Sequence, residues 1–378
     1  MADARIVSGA PAASGGRGIV KPLPPELLLD LRDGAADPDD PTGDLALNAE
    51  MRWEAMKDRG YLTPVDRFFV RNHAPTPHIG LAAWELRVEG PGVERPATLT
   101  YDDLWRLPPT TAARALECAG NGRAFFAEHQ GREAPGTPWR LGAVGVAEWT
   151  GVALREVLER ARLKDTAREV MLEGLDEVRM RRPLPLEKAL EDTLLAYGMN
   201  GELLPPDHGF PLRAIVPGWA AVASVKWVGR IFVSDDSSGP LASPWNTDKY
   251  VLTGGAYGGR RVPVLAQVPK SALELAWPAT LRRGPQTITG RSWSEGAPAA
   301  RVEYAVDAES RWRPAELFGP NLPGAWARWR FVWDAPRGKH KVRVRATDAA
   351  GNAQPEKTEW NELGYLYGGV VAHPVEVI

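Results

Sequence analysis

Hydrophobic and polar residues alternate along the last third of the chain. Turns containing Gly, Pro and Asp separate the alternating runs, which are QTITGRSW (286–293), RVEYAVD (301–307), WARWRFVWDAP (326–336), HKVRVRATDAAG (340–351) and VVAHPVEVI (370–378). Alternation with a period of two is typical of strands that bury one face. The spacing of these runs, together with the loss of helix patterns, predicts an antiparallel β-sandwich over residues 255–378.

The pattern between residues 68 and 233 mixes both kinds of element. LAAWELRVEG (81–90) has strand composition, and PLRAIVPG (211–218) and VKWVGRIFV (225–233) resemble buried strands. TGVALREVLERARL (150–163) is predicted to form an amphipathic helix. The apolar face of that helix comprises Val152, Leu154, Val157, Leu158 and Ala161. Because these short elements do not alternate regularly as in βαβ units, we predict an α+β fold.

The chain is expected to fall into three parts. Residues 1–45 are rich in Ala, Gly, Pro and Asp, and we expect them to form an extended N-terminal arm. A length of 378 residues exceeds what one core usually supports, so two domains should follow the arm. We place the α+β domain at residues 46–254 and the β-sandwich at 255–378. The boundary is set within VLTGGAYGGRRVP (251–263), whose glycines suit a flexible crossing.

The charges of the chain are nearly balanced, with 46 Lys and Arg residues against 48 Asp and Glu residues. This balance gives no electrostatic reason to expect nucleic acid or a membrane surface as a partner. The N-terminus lacks an apolar run of signal-peptide length, and no segment approaches the roughly 20 apolar residues of a membrane helix. We therefore expect a cytoplasmic protein, or a periplasmic one if a signal peptide has been removed.

Cys118, in LECAGNGR (116–123), is the only cysteine of the chain. A single cysteine excludes an intramolecular disulfide and the multi-cysteine frameworks of zinc and iron–sulfur sites. Its thiolate is a candidate metal ligand or nucleophile, and Arg123 is a candidate to lower its pKa or to bind an anion. The alternative at this point is a structural cysteine, because free cysteines are among the most buried residues.

Two further segments place polar side chains beside buried strands. FFVRNHAPTP (68–77) ends a strand with Arg71, Asn72 and His73, although a solvated loop would have the same composition. DHGFPLRAIVPGWAAVASVKW (207–227) carries cationic and hydroxyl donors that suit a phosphate group, namely His208, Arg213, Ser224 and Lys226. The alternative is that these cations flank core strands and face solvent.

Taken in order, these segments resemble the sulfite oxidase family of molybdenum enzymes. The resemblance is carried by FFVRNHAPTP, LECAGNGR, GTPWRLGAVGVAEWTGVALREVL (136–158), LAYGMNGELLPPDHGFPLRAIVPG (195–218) and SVKWVGRI (224–231). VRVRATDAAGNAQPE (342–356) and WNELGY (360–365) resemble the family's dimerisation domain. The implied fold is a sulfite-oxidase-like mixed α/β molybdopterin domain followed by an immunoglobulin-like β-sandwich.

The resemblance also implies roles for individual residues. Cys118 matches the cysteine whose thiolate ligates molybdenum, and Arg71 and Arg123 match arginines of the anion pocket. Tyr250, in NTDKY, matches the active-site tyrosine. The positions that match the cofactor-binding residues are Phe69, Val70, Arg71, Asn72, His73, Asp176, His208, Arg213, Ser224, Val225 and Lys226. One departure is Gly122, which stands where many animal sulfite oxidases have a second arginine.

The implied activity is oxidation of sulfite to sulfate at molybdenum held by a single molybdopterin, without haem. Electrons would pass to an external acceptor, such as cytochrome c or oxygen, and the protein would form a homodimer. An alternative is a related molybdoenzyme that acts on a sulfoxide, nitrate or another sulfur compound. Two alternatives belong to other classes of protein. One is a thiol hydrolase with Cys118 as nucleophile and His73 or His208 as base, and the other is a non-catalytic binding protein built on the β-sandwich.

Overall fold

Strands make up most of the regular structure of the chain. The computed structural model describes residues 24–31, 46–307 and 311–378. The strands before residue 264 are β1 (Leu28–Asp30), β2 (Asn48–Met51), β3 (Val70–Arg71), β4 (Glu85–Glu89), β5 (Ala97–Thr100), β6 (Pro109–Glu117), β7 (Val144–Ala153), β8 (Ala167–Gly174), β9 (Arg181–Pro185), β10 (Leu194–Met199), β11 (Glu202–Leu203), β12 (Arg213–Ile215), β13 (Val228–Asp235), β14 (Val251–Leu252) and β15 (Val262–Pro263).

The helices of the described residues are short. The α-helices are α1 (Tyr101–Trp105), α2 (Ala124–Gln130), α3 (Leu154–Arg160), α4 (Leu186–Glu191) and α5 (Pro244–Thr247). Single turns of 3₁₀-helix are found at Trp53–Met56, Val65–Arg67, Leu81–Ala83, Pro206–His208, Ala221–Ala223 and Gly255–Tyr257. No helix among the described residues has the length and apolar character needed to cross a membrane.

Two five-stranded sheets enclose the core of the first part of the chain. One has the strand order β11-β10-β7-β6, with β12 also pairing with β10, and the other has the order β5-β4-β13-β8-β9. All pairs in them are antiparallel except β4 with β13. Helix α3 packs against this core through Leu154, Val157 and Leu158, which are fully buried.

Two sheets also form the last part of the chain, and we call them the C-terminal sheets. Their strands are β16 (Lys270–Leu273), β17 (Ala279–Leu281), β18 (Gly284–Trp293), β19 (Ala299–Val306), β20 (Arg313–Pro314), β21 (Glu316–Asn321), β22 (Trp326–Ala335), β23 (Gly338–Asp348) and β24 (Ala372–Val377). The strand orders are β16-β18-β22-β21 and β17-β24-β23-β19-β20. Ile288 and Trp329 of the first sheet share one hydrophobic cluster with Val302 and Val344 of the second.

The mixed helix and strand content predicted from the sequence is confirmed, but one helix begins later than predicted. The amphipathic pattern predicts a helix from Thr150, whereas α3 starts at Leu154. Residues 150–153 instead belong to β7, which pairs with both β6 and β10. Val152, assigned to the apolar face of the helix, is therefore a buried strand residue. Pairing on two sides outweighs the local helical period.

The predicted arm, residues 1–45, lies mostly outside the described residues. Its described piece, 24–31, contributes β1, which pairs with β2, and β2 pairs in turn with β3. The segment predicted as a flexible crossing, 251–263, contains the antiparallel pair β14 and β15. The division of the chain at residues 254 and 255 stays a prediction.

The pairing of β6 with β7 sets the position of Cys118. The two strands are in register from Pro109 opposite Val152 to Glu117 opposite Val144. Cys118 follows directly, and its backbone N–H donates to the Ala143 carbonyl at 2.9 Å. The thiol therefore stands where a buried, two-stranded ladder ends and a turn begins.

Candidate active site

A cavity that is partly open to solvent, with about 700 Å³ of empty space, lies beside the end of β6. All site residues predicted from the sequence except Arg123 line this cavity: Phe69, Val70, Arg71, Asn72, His73, Cys118, Asp176, His208, Arg213, Ser224, Val225, Lys226 and Tyr250. Segments that are far apart in the sequence thus meet at one site.

Cys118 presents the thiol of this cavity, and its side chain is buried. Burial raises the pKa of the thiol, while the positive charge of Arg71, the backbone N–H of Gly120 and the charge of Arg123 oppose that rise. Among the described residues, no cluster of three or more His, Cys, Asp and Glu side chains is arranged to hold a metal ion. Cys118 offers the cavity a thiol, whose thiolate is a soft donor for a transition metal.

Arg71 lies on β3, which is paired with β2 beside the cavity. Asn48 is its partner in the strand register, and the Arg71 Nη1 donates to the Asn48 Oδ1 at 3.2 Å. The same nitrogen donates to the carbonyl of Asn72. The guanidinium is half-buried and lines the cavity, so it is placed to receive an anion near Cys118.

His73 and Tyr250 form a hydrogen-bonded pair at the cavity wall. The His73 Nε2 and the Tyr250 hydroxyl share a hydrogen bond of 2.7 Å. Burial holds the pKa of His73 well below its ordinary value, and the charges of Arg71, Lys249 and Lys226 lower it further. The imidazole is therefore neutral at neutral pH, and it keeps the Tyr250 hydroxyl oriented without adding a charge.

Arg213, which is buried, and Lys226, which is half-buried, line the same cavity. The Arg213 Nη1 donates to the His208 carbonyl at 2.9 Å, but its Nε has no hydrogen-bond partner among the described residues. Burial lowers the pKa of Arg213 to about 9. Burial also lowers the pKa of Lys226 to about 7, and the charge of Arg213 acts in the same direction.

This pair of cations fits a phosphate. The buried Arg213 guanidinium has an N–H without an acceptor, and an anion would supply that acceptor and favour the charged form of Lys226 as well. The Lys226 Nζ donates to the Asp207 carbonyl at 2.9 Å and to the Asn72 Oδ1, which fixes its position. Asp176 is held by the Met180 N–H at 2.9 Å. A group with a terminal phosphate and a metal-binding end therefore matches the donor set of the cavity.

Arg123 does not reach the cavity wall. Its Nη1 donates to the Thr137 carbonyl at 3.0 Å and its Nε to the Leu363 carbonyl at 3.2 Å. The guanidinium carbon lies 5.1 Å from the centroid of the Tyr365 ring. The spacing between Cys118 and Arg123 in the sequence gave no information on which side of the turn this side chain lies.

Gly122, next to Arg123, occupies a position that excludes a larger residue. Its φ of +97° is one that L side chains rarely adopt, and an added Cβ would lie 2.9 Å from the Cβ of Tyr367. A second arginine, as in many animal sulfite oxidases, would not fit here without a shift of the backbone.

Several lining residues were not singled out from the sequence. They include Phe68, Asp207, Met180, Val222 and Trp227. Asp207 and Trp227 are adjacent in the sequence to the predicted residues His208 and Lys226, and this adjacency could have identified them as lining residues. The Trp227 ring lies 4.4 Å from the Lys226 Nζ, a cation–π contact that sequence spacing does not reveal.

Comparisons with known proteins identify the relatives of this chain. The model of the oxidoreductase molybdopterin binding domain matches residues 73–241. Sulfite oxidase of Gallus gallus is 35% identical over 345 residues, which cover 84% of this chain and 74% of that protein. Mitochondrial sulfite oxidase of Mus musculus is 34% identical over 91% of this chain and 68% of that protein.

A solved structure resembles the whole chain. The sulfane dehydrogenase SoxCD of Paracoccus pantotrophus superposes with a TM-score of 0.81 at 26% identity, covering 100% of this chain and 99% of that one. Together with the thiol and the cationic side chains of the cavity, these matches define the class: the protein is a molybdopterin-dependent oxidoreductase. Within that class, the chain belongs to the sulfite oxidase family.

Proposed function

We propose that the protein oxidises sulfite to sulfate at a molybdenum centre and passes the electrons to an external acceptor. The observation that carries this proposal is the meeting of Cys118, Arg71 and Tyr250 with Arg213 and Lys226 around one cavity. A soft metal ligand, an anion-binding guanidinium and a phosphate-binding pair are what such a reaction requires of the protein.

The cofactor would be held by three groups of residues. Arg213, Ser224, Lys226 and His208 would bind the phosphate, and residues 69–73 would line the pterin. The thiolate of Cys118 would ligate the metal. The molybdenum centre would supply the two-electron redox chemistry and the oxygen transfer, which protein side chains alone do not provide.

The remaining polar residues would bind and orient the substrate. Arg71 would hold a sulfite oxygen by charge-assisted hydrogen bonds close to Cys118. The Tyr250 hydroxyl, kept in place by neutral His73, would donate to a second substrate oxygen and exchange protons with it. Because Arg71 is a fixed positive charge, this arrangement favours an anion over a neutral sulfoxide.

A second candidate substrate is a reduced sulfur compound other than sulfite. It is favoured by the similarity to sulfane dehydrogenase SoxCD, which extends over 100% of this chain. Nitrate is supported less. Nitrate reductase of Hordeum vulgare is 30% identical, and this chain covers 40% of its length.

A substrate comparison tests these candidates. The protein is produced in a host that makes molybdopterin, and its molybdenum content is measured. Turnover is then followed with ferricyanide as acceptor for sulfite and thiosulfate, and with reduced viologen as donor for nitrate. We expect near-stoichiometric molybdenum and the highest kcat/KM with sulfite. A molybdenum-loaded protein that prefers thiosulfate or nitrate would contradict sulfite as the substrate. A protein without molybdenum would contradict the whole proposal.

We also propose the finer organisation implied by the resemblance. A molybdopterin-binding domain at residues 46–254 precedes an immunoglobulin-like sandwich at 255–378, and the sandwich forms a homodimer. The centre works without haem, its acceptor is a cytochrome c or oxygen, and the protein resides in the cytoplasm or the periplasm. The C-terminal sheets with their shared core support the sandwich. Sedimentation analysis tests the dimer: a monomer at all micromolar concentrations would contradict it.

A further inference from the structure

Tyr250 is the middle of a row of side chains that continues away from the cavity. Its ring stacks on that of Tyr365, with centroids 5.1 Å apart and planes inclined by 14°. Arg123 contacts the Tyr365 ring with its guanidinium, and His73 holds the Tyr250 hydroxyl at 2.7 Å. We call His73, Tyr250, Tyr365 and Arg123 the tyrosine column.

The end of the column at Arg123 is fixed in a narrow slot. The carbonyls of Thr137 and Leu363 accept hydrogen bonds from its guanidinium. A Cβ added at Gly136 would lie 2.7 Å from the Arg123 Nη1, and one at Gly364 would lie 2.9 Å from the Arg123 Cγ. The two glycines thus leave the space that the side chain fills, and the carbonyls set its direction.

Tyr365 is held by its own backbone as firmly as by its ring contacts. Its N–H donates to the Asn361 Oδ1 at 3.0 Å, and the Asn361 Nδ2 donates to the Tyr365 carbonyl at 2.9 Å. The next N–H, that of Leu366, donates at 2.9 Å to the carbonyl of Ala119, which follows Cys118. One short segment therefore contacts both the Tyr250 ring and the turn that carries the thiol.

The backbone of Tyr250 gives the ring contact its importance. Its φ of 54° lies in the left-handed region, which is unfavourable for a non-glycine residue and persists only where the surroundings impose it. The Val264 N–H donates to the Tyr250 carbonyl at 2.8 Å, and Arg182 donates to the Val264 carbonyl. Stacking on Tyr365 adds a further stabilising contact to the ring. The ring loses that support if Tyr365 is replaced by an aliphatic residue.

We propose that Tyr365 is a positioning residue of the active site, and that Arg123 acts through Tyr365 rather than by contacting the substrate. Tyr365 holds the Tyr250 ring so that its hydroxyl remains on His73 at the cavity wall. The cation on the Tyr365 ring fixes the far end of the column. The proposal rests on the proposed function only in that sulfite turnover is one of its two readouts.

The kinetic test uses cofactor-loaded protein. Tyr365→Leu is expected to lower kcat at least about tenfold with KM within about threefold, because small displacements of an acting group cost rate more than binding. Tyr365→Phe keeps the ring, so its kcat should stay within about twofold of that of the unaltered protein. Arg123→Met should lower kcat and leave KM unchanged.

A matched control separates positioning from loss of stability. Tyr304→Leu removes another buried tyrosine, one that stacks on Phe331 with centroids 3.7 Å apart in the C-terminal sheets. It should destabilise the fold comparably and leave kcat unchanged. In a Tyr250→Phe background, Tyr365→Leu should cause no further loss of kcat, because the hydroxyl it positions is already gone.

The second readout does not depend on turnover. Amide hydrogen exchange of residues 247–252, measured on loaded protein without substrate, should increase in Tyr365→Leu and remain unchanged in Tyr304→Leu and Tyr365→Phe. Unchanged exchange in Tyr365→Leu, or a kcat loss that persists undiminished in the Tyr250→Phe background, would overturn the proposal. A raised KM with unchanged kcat in Arg123→Met would instead place Arg123 on the substrate. If sulfite is not a substrate, the exchange result still decides the positioning role.

Discussion

The charge of Arg71 acts on the Cys118 thiol more strongly than that of Arg123 does. This difference agrees with their positions, since Arg71 lines the cavity and Arg123 lies behind it. Two arginines that match the same pocket in the family therefore have different surroundings here. An anion bound near Cys118 would meet Arg71 first.

Replacing Arg71 should weaken substrate binding. In Arg71→Met we expect KM for sulfite to rise roughly 10- to 150-fold, which corresponds to the loss of about 1.5–3 kcal/mol from a charge-assisted hydrogen bond. Steady-state kinetics with ferricyanide measure it. Arg106→Met, which alters an exposed arginine of the same part of the chain, serves as the control and should leave KM unchanged. An unchanged KM in Arg71→Met would remove Arg71 from the substrate pocket.

Individual residues of the site were predictable where they belong to a continuous motif. Residues 69–73, Cys118 and the 224–226 run were found in this way, and the cavity brings them together. Tyr365 was not found, although its segment WNELGY was recognised, because stacking on Tyr250 depends on how two distant segments pack. The side of the turn on which Arg123 lies was likewise hidden, since spacing fixes distance along the chain but not direction.

Strand β2 is joined to the loop after Trp139 through a buried carboxyl group. The Glu50 Oε2 accepts hydrogen bonds from the N–H groups of Arg140 at 2.9 Å and Gly142 at 3.2 Å. Burial nevertheless raises the pKa of Glu50 from 4.5 to about 7, because the loss of hydration outweighs those bonds and the charge of Arg140. The folded protein therefore retains a proton at Glu50 that the unfolded chain releases.

The raised pKa of Glu50 determines how the free energy of unfolding changes with pH. Below pH 4.5 both states are protonated, and between about pH 4.5 and 7 only the folded state keeps the proton, so the free energy of unfolding falls as pH rises. In Glu50→Gln the free energy of unfolding should fall less over this pH range, by a difference of about 3 kcal/mol at most. Urea unfolding at pH 5 and pH 7.5 measures it, with Glu54→Gln as the control. An equally steep decline in Glu50→Gln would show that Glu50 is not its source.

Strand β16 of the C-terminal sheets is tied to the end of β6 by a buried ion pair. The Lys270 Nζ donates to the Glu117 Oε1 at 2.7 Å and to the Asn121 carbonyl at 2.8 Å. Both charged side chains are almost completely buried. Since Glu117 precedes Cys118, this pair connects the C-terminal sheets to the turn that carries the thiol.

Breaking the pair should be costly, whereas neutralising both partners should not. Lys270→Met leaves Glu117 buried and unpaired, and we expect it to lower the free energy of unfolding by about 3–5 kcal/mol. The double variant Lys270→Met/Glu117→Gln should recover most of that loss. Arg330→Met breaks an exposed pair with Glu316 and should cause no measurable change. The account of this contact fails if Lys270→Met unfolds at the same urea concentration as the unaltered protein.

The element pattern was predictable to the extent that one face of each element is buried. The alternating runs of the last third correspond to β18, β19, β22, β23 and β24; burial alternates along most of β22, β23 and β24, whereas β18 and β19 end in continuous buried runs. The start of α3 was misplaced because the residues before it have partners on two sides in the sheet. Tertiary contacts decide such pairing, so the local periodicity of the sequence does not reveal it.

Side chains from distant parts of the chain pack together in the interior of the molecule. A hydrophobic cluster joins Trp53 and Phe126 to Trp293, Trp326 and Tyr367 of the last part of the chain. Several of the 15 tryptophans are used in this contact, which composition alone did not indicate. Tyr367 of this cluster lies two residues after Tyr365, whose ring stacks on Tyr250 of the cavity wall, so the last part of the chain also contributes to the site.

We propose that this cavity holds molybdenum through the thiolate of Cys118. X-ray absorption at the molybdenum edge tests it most directly, by comparing loaded unaltered protein with Cys118→Ser. We predict that Cys118→Ser retains molybdenum, through Arg213, Lys226 and the other cofactor-binding residues, but has one sulfur neighbour fewer at the metal. An equal number of sulfur neighbours in the two proteins would contradict the account.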